Sequence, residues 1–222
     1  MRIVYTLLLY LAVPFALLRL LWKSRQLAEY RGRVGERFGF VPSIAGDGIA
    51  VWVHAVSVGE ALAAIPLIEA LIERHGERRV WVTSTTPTGS ARVIAAFGDR
   101  VHHSYAPYDL PDVVGRFLDR VRPARFVVME TELWPNLFRA CCLRGIPLTI
   151  ANARLSPRSF RGYRRVRGFA RDTVRIIPAA EVREAHESWL AMVRATPRIP
   201  RHEENTPANL GHAIPASQEE QS

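Results

Sequence analysis

The chain has 222 residues, 48% hydrophobic and 23% charged, a globular composition that excludes a chain disordered throughout. Its 30 Lys plus Arg against 21 Asp plus Glu give a formal net charge of +9, which calls for an anionic partner: a membrane surface, a phosphorylated substrate or nucleic acid. The two cysteines, Cys141 and Cys142, are neighbours in sequence and read as reduced, buried, small apolar residues, with no Cys/His spacing for a metal.

Ile3 to Leu18 is apolar apart from Thr6 and two tyrosines, and continues into Arg19-Leu20-Leu21-Trp22. A helix rises ~1.5 Å per residue, so a ~30 Å hydrocarbon core takes roughly 20 residues. With Arg19 snorkelling and Trp22 at the interface, residues 1–23 read as a membrane anchor or interfacial helix, kinked at Pro14. Lys23, Arg25, Arg31, Arg33 and Arg37 follow the run and only Arg2 precedes it, so the rest of the chain is expected in the cytosol. The competing readings are a cleaved signal peptide, whose small-x-small pattern the flank lacks, and a plain buried helix. The segment Lys23 to Phe40 reads either as a solvated face beside the membrane or as a site for phosphate-bearing lipid headgroups.

From Ile49 the period changes. Ile49 to Val53 is a short β-branched run, hence a buried strand, and Glu60 to Glu73 has helical apolar spacing with Pro66 as a kink or a late start and Gly76 as a stop. The pattern repeats. Strands are predicted at Val80–Thr83, Val101–Tyr105, Phe126–Met129 and Pro147–Ile150. Helices are predicted at Ala91–Phe97, Pro111 to about Arg120, and Pro135 to about Leu143. Such alternation predicts an α/β fold, a Rossmann-like parallel sheet covered on both faces.

One regularity follows from this pattern alone. The polar clusters His54/Ser57/Glu60, Thr85/Thr86/Thr88, Glu130/Glu132 and Asn152/Arg154/Ser156 all follow predicted strands, so they share one sheet edge. Hydroxyls, carboxylates and an arginine there suit a polyhydroxylated or phosphorylated ligand. With no Gly-x-Gly-x-x-Gly and no Walker loop, dinucleotides and ATP are not supported. Taken singly, Glu60 is either a catalytic base or a favourable first-turn carboxylate, held ionised by the helix dipole and ready at neutral pH without being strong. Glu130 is either catalytic or an ion-pair partner. His54 reads as a hydrogen-bonded loop residue, Thr85 and its neighbours as helix caps or phosphate ligands, and Trp134 and Pro135 as structural.

Five strings sit in this order: His54-Ala55-Val56-Ser57-Val58-Gly59-Glu60, Thr85-Thr86-Pro87-Thr88-Gly89-Ser90, Tyr105-Ala106-Pro107-Tyr108-Asp109, Met129-Glu130-Thr131-Glu132-Leu133-Trp134-Pro135-Asn136 and Ala151-Asn152-Ala153-Arg154-Leu155-Ser156. Together with Arg33-Val34-Gly35-Glu36-Arg37 and the apolar N-terminus, they resemble the N-terminal half of the 3-deoxy-D-manno-octulosonic acid (Kdo) transferases over roughly residues 1–175. That resemblance implies the acceptor domain of a glycosyltransferase-B fold. It implies transfer of Kdo from CMP-Kdo to the lipid A precursor (lipid IVA), with no metal and no cofactor beyond that donor. It makes Glu60 the general base and Glu130 a stabiliser of the transition state, with Ser57, Thr85, Arg33, Arg37 and Arg154 beside the acceptor.

The resemblance fades after about Thr173. Residues 24–177 are then the acceptor domain and 178–222 a divergent tail, one helix over Pro178 to Ala195 and then disorder, with no second α/β domain to take the donor. The expectation is a chain that binds CMP-Kdo only if a donor domain is supplied and is inactive or nearly so alone. A non-catalytic membrane-associated lipid-binding domain is the alternative. Nucleic acid is not expected as a partner, because the charge lies beside the apolar anchor and no recognition motif accompanies it.

Overall fold

The computed structural model describes residues 2–25, 33–130 and 133–152. The expectations for Arg31, Thr131, Glu132, Arg154, Ser156 and the C-terminal tail lie outside them. Five short apolar runs become β1 (Val51–His54), β2 (Val80–Ser84), β3 (His102–Tyr105), β4 (Phe126–Met129) and β5 (Leu148–Ala151). They form one parallel sheet in the order β3-β2-β1-β4-β5, in a register that sets His54 against Thr83 on one side and Val128 on the other. Strand order therefore reverses between β1 and β4.

The helices are α1 (Arg2–Lys23), α2 (Val34–Arg37), α3 (Val58–His75), α4 (Pro87–Phe97), α5 (Pro111–Val121) and α6 (Pro135–Leu143). Alternation along the strands builds two cores. Val51, Val53, Val80 and Val82 pack with Ala64 and Ile68 of α3 and Val93 and Phe97 of α4. Trp52 and Trp81 pack on the other face with Phe117 of α5 and Phe138 of α6. Both buried indoles are satisfied across the sheet, Trp52 Nε1–H donating to Thr83 Oγ1 and Trp81 Nε1–H to Ser104 Oγ, each at 2.9 Å.

Several boundaries differ from those predicted. α4 starts at Pro87 rather than Ala91, because Thr86 caps it: the Gly89 N–H donates to Thr86 Oγ1 at 3.1 Å and Pro87 occupies the first turn. α3 runs from Val58 through Pro66 to His75 without interruption. His54 is the last residue of β1 rather than a loop residue. Cys141 is buried as expected, but Cys142 is exposed, since α6 turns only one face to the sheet. α2 has no counterpart in the sequence reading.

The chain after α2 is strapped to α5 by arginines. Arg116 donates to Phe38 O, Arg120 to Val41 O, and Arg122 to Ile44 O and Gly46 O. α1 is long and apolar enough to cross a membrane, and its first half is tied to the domain through polar groups. Tyr5 OH donates to Asp109 Oδ2 (2.9 Å), Thr6 Oγ1 to Asn136 Oδ1 (3.2 Å) and Tyr10 OH to Asp112 Oδ1 (2.6 Å).

Candidate functional site at the strand-order reversal

In an open parallel sheet the loops beyond β1 and β4 diverge where the order reverses, one feeding a helix on each face, and leave a crevice at the carboxyl edge. Residues 55–60 leave β1 for α3, and Glu130 leaves β4 toward α6. This crevice collects two of the predicted carboxylates, Glu60 and Glu130.

Glu60 sits in the first turn of α3 and is only 6% exposed. Ser57 caps that helix, its Oγ accepting from the Glu60 N–H at 3.3 Å and donating to Glu60 Oε1 at 2.9 Å. The other carboxylate oxygen, Oε2, accepts from the Val56 N–H at 2.8 Å. This is a capping box with its reciprocal bond moved one residue back. It fixes the carboxylate, and among the described residues no cation pairs with it. Burial pushes the Glu60 pKa up, the bonds from Val56 N–H and Ser57 pull it down, and the negative charge of Glu130 pushes it up again, for a net rise. Burial is the largest of these influences, and it makes Glu60 a stronger base than a surface glutamate.

Glu130 is half-buried and adopts φ +58°, a left-handed conformation unusual for a residue with a Cβ. Its N–H is anchored to Ala151 O at 2.8 Å. The side chain is thereby aimed by a bent backbone at the end of β4, near enough to Glu60 for their charges to interact.

Thr85 begins the loop after β2. Its hydroxyl donates to Val56 O at 2.8 Å, so it ties this loop to the Glu60 loop. Gly89 lets α4 approach: a Cβ there would lie 3.0 Å from Thr86 Oγ1 and 3.6 Å from the Ser57 carbonyl carbon. Arg37 is buried. It donates to Thr85 O at 2.9 Å and lies 4.1 Å over the Tyr105 ring. Arg33 is more open, ion-paired with Glu36 at 2.7 Å and donating to His103 O and Ser90 Oγ. Glu36 Oε2 in turn accepts from Tyr105 N–H at 2.8 Å. The structure therefore brings Ser57, Glu60, Thr85 and Arg37 into one continuous network, with Arg33 on its rim and Glu130 across the crevice.

A family model described as 3-deoxy-D-manno-octulosonic-acid transferase (kdotransferase) matches residues 32–192, more than half of the chain. The chain belongs to the Kdo transferase family. It is 44% identical over 167 residues to the 3-deoxy-D-manno-octulosonic acid transferase of Haemophilus influenzae, covering 75% of this chain and 39% of that protein. It is 36% identical over 157 residues to the probable mitochondrial 3-deoxy-D-manno-octulosonic acid transferase of Arabidopsis thaliana, covering 71% and 35%, and 39% identical over 152 residues to that of Bordetella pertussis, covering 64% and 35%. The chain thus spans between 35% and 39% of the length of these relatives. The five-stranded parallel sheet is that of the N-terminal half of a glycosyltransferase-B fold.

Within this Kdo transferase domain two groups have surroundings that the sequence did not show. Asp109, read as part of a turn, caps α6 from another loop: Leu137 N–H donates to Oδ1 at 2.7 Å and Asn136 N–H to Oδ2 at 3.1 Å. Burial still pushes its pKa up to about 6. His54 lies beneath the crevice, its Nδ1 2.9 Å from Thr83 Oγ1 and its ring edge-on to Trp134. Burial pushes it down to about 4, so it is neutral at pH 7. A Pro after a strand exit marked the start of α6, but only tertiary structure identifies its cap.

Proposed function

We propose that this chain forms the acceptor side of a Kdo transferase. The acceptor is the phosphorylated lipid A precursor (lipid IVA), the donor is CMP-Kdo, and the chain sits on the cytoplasmic face of the inner membrane. The observation that carries this reading is the buried Glu60 carboxylate at the strand-order reversal, held by Ser57 and Val56 and made more basic by burial.

A sugar hydroxyl is a weak nucleophile. Glu60 takes its proton as the hydroxyl oxygen bonds to the anomeric carbon of Kdo. The bond from that carbon to the CMP phosphate oxygen breaks in the same event, and CMP leaves with the electron pair. A positioned base of this kind contributes about 10²–10⁴ in rate. Positive charge develops at the anomeric carbon in passing, and the Glu130 carboxylate favours it. Ser57 keeps the base oriented. Thr85 and Arg37 hold the loops, Arg33 on the rim is open to acceptor phosphate, and Arg154 is assigned to the acceptor by its place after β5.

The test incubates the purified chain in detergent with lipid IVA and CMP-Kdo generated in situ, with Glu60→Gln beside it, and follows sugar addition by mass spectrometry. Product from the native chain and none from the variant supports the assigned base. Acceptor retained by both with no product leaves the acceptor role and withdraws the claim of transfer by this chain. Neither product nor retained acceptor overturns the reading.

A further inference from the structure

The polar ties of α1 leave a cleft between α1 and α6 with a volume of about 370 Å³. It lies on the α5/α6 face of the sheet, whereas Glu60 begins a helix of the opposite face. Its walls are apolar, with Leu7 from α1 and Ala140 and Leu143 from α6. Leu7 and Leu143 are 62% and 70% exposed. Arg2, Arg139 and Arg144 also line it, and none of its lining residues among the described ones is acidic. Arg144 is held by Asp119 at 2.9 Å. Neither Arg2 nor Arg139 has a carboxylate within ion-pair range among the described residues.

The position of α1 says what surrounds this cleft. Tyr5, Thr6 and Tyr10 tie its first turns to the domain, so only Leu11 to Lys23 extends beyond them. At ~1.5 Å per residue that is roughly 20 Å, short of a ~30 Å hydrocarbon core. The part of α1 beyond those ties is therefore too short by itself to cross a bilayer, which suits a helix lying in the interface. Tyr5, Thr6, Leu9, Val13, Leu17 and Leu20 are half-buried, while Val4, Leu8, Leu11, Phe15, Leu18 and Trp22 form an exposed stripe at helical spacing. That stripe is open to an apolar partner, and Leu7 of the cleft adjoins it on the helix.

We infer that the α1/α6 cleft holds one anionic glycerophospholipid, its acyl chain against Leu7, Ala140 and Leu143 and its phosphate between Arg2 and Arg139. The lipid is a resident one that seats the anchor, not the acceptor. The inference rests on the membrane reading of α1 but not on Kdo transfer.

The full chain is titrated with vesicles of phosphatidylcholine alone and with vesicles containing phosphatidylglycerol. Arg2→Gln/Arg139→Gln is compared with Arg74→Gln/Arg92→Gln, which removes two exposed arginines from α3 and α4 on the opposite face. The first pair is expected to weaken partitioning onto phosphatidylglycerol vesicles about 25-fold, roughly fivefold for each arginine, and the second less than twofold. Equal losses from the two pairs would mean diffuse attraction and overturn the site. Binding to neither vesicle would overturn the membrane reading as well. Native mass spectrometry of detergent-released chain should find one phosphatidylglycerol per native chain and none on Ala140→Phe, whose ring fills the cleft while keeping every charge. Retention of phosphatidylglycerol by a folded Ala140→Phe, or retention of lipid IVA in its place, would overturn the assignment.

Discussion

Ser57 Oγ both accepts from the Glu60 N–H and donates to the Glu60 carboxylate. One hydroxyl thus starts a helix and steers a buried acid. Ser57→Ala should therefore have two separable effects. Loss of the cap costs about 1 kcal/mol, read as a lower denaturation midpoint. Loss of the bond to the ionised form lets the Glu60 pKa rise further, so the acidic limb of any transfer activity moves to higher pH. Ser57→Thr keeps both bonds and should restore both readouts.

Stability should depend on pH through two histidines, the buried His54 and the half-buried His103. Burial lowers His54 to about 4 and His103 to about 3 from an ordinary 6.5. Between those values and 6.5 the unfolded chain binds the extra protons, so stability is fully present above pH 6.5 and is lost as pH falls toward 4. Asp109, raised from 3.8 to about 6, works in the opposite direction and loses stability as pH rises through that window. Thermal midpoints measured from pH 7 to 4 should fall. The fall should be shallower in His103→Gln and steeper in Asp109→Asn.

Arg37→Met should destabilise the domain by about 2–3 kcal/mol in urea denaturation, because it removes a charged hydrogen bond to Thr85 O and a cation–π contact with Tyr105. Arg37→Lys should recover only part, since an ammonium cannot lie flat on the ring. Arg33→Gln, on the open rim, should change stability by less than about 1 kcal/mol.

Gly48 and Gly46 offer a matched pair. Both have positive φ, +74° and +68°, but a Cβ at Gly48 would lie 2.4 Å from Arg122 O, while nothing lies within 4 Å at Gly46. Gly46→Ala should cost about 1 kcal/mol of backbone strain. Gly48→Ala adds a backbone clash and should cost at least twice as much by the same measurement.

The sheet was legible because a parallel strand buried on both faces is a short continuous apolar run, as at Phe126–Met129 and Val80–Thr83. The shared edge of the polar clusters followed from that alone. Strand order was not readable, because the positions of β1 and β4 depend on which face each crossover covers. The charge of +9 also overstated the surface available to an anion. Arg37, Arg116, Arg120 and Arg122 donate to backbone carbonyls within the fold, and no local pattern separates such arginines from solvated ones. α2 was missed for a related reason: a four-residue helix has no period, and its place is fixed by Glu36 and Arg37 reaching β3 and the loop after β2.

Glu130 occupies a left-handed backbone position that glycine would hold without strain. Selection for folding alone would favour relaxing that position, and the proposed role of its carboxylate beside Glu60 gives a reason for keeping it tense. Glu130→Gly should accordingly unfold at a higher urea concentration than the native chain, and any transfer activity should fall with it. If that role holds, a lineage freed from it would be expected to drift toward small residues at this corner first, gaining robustness as it gives up chemistry.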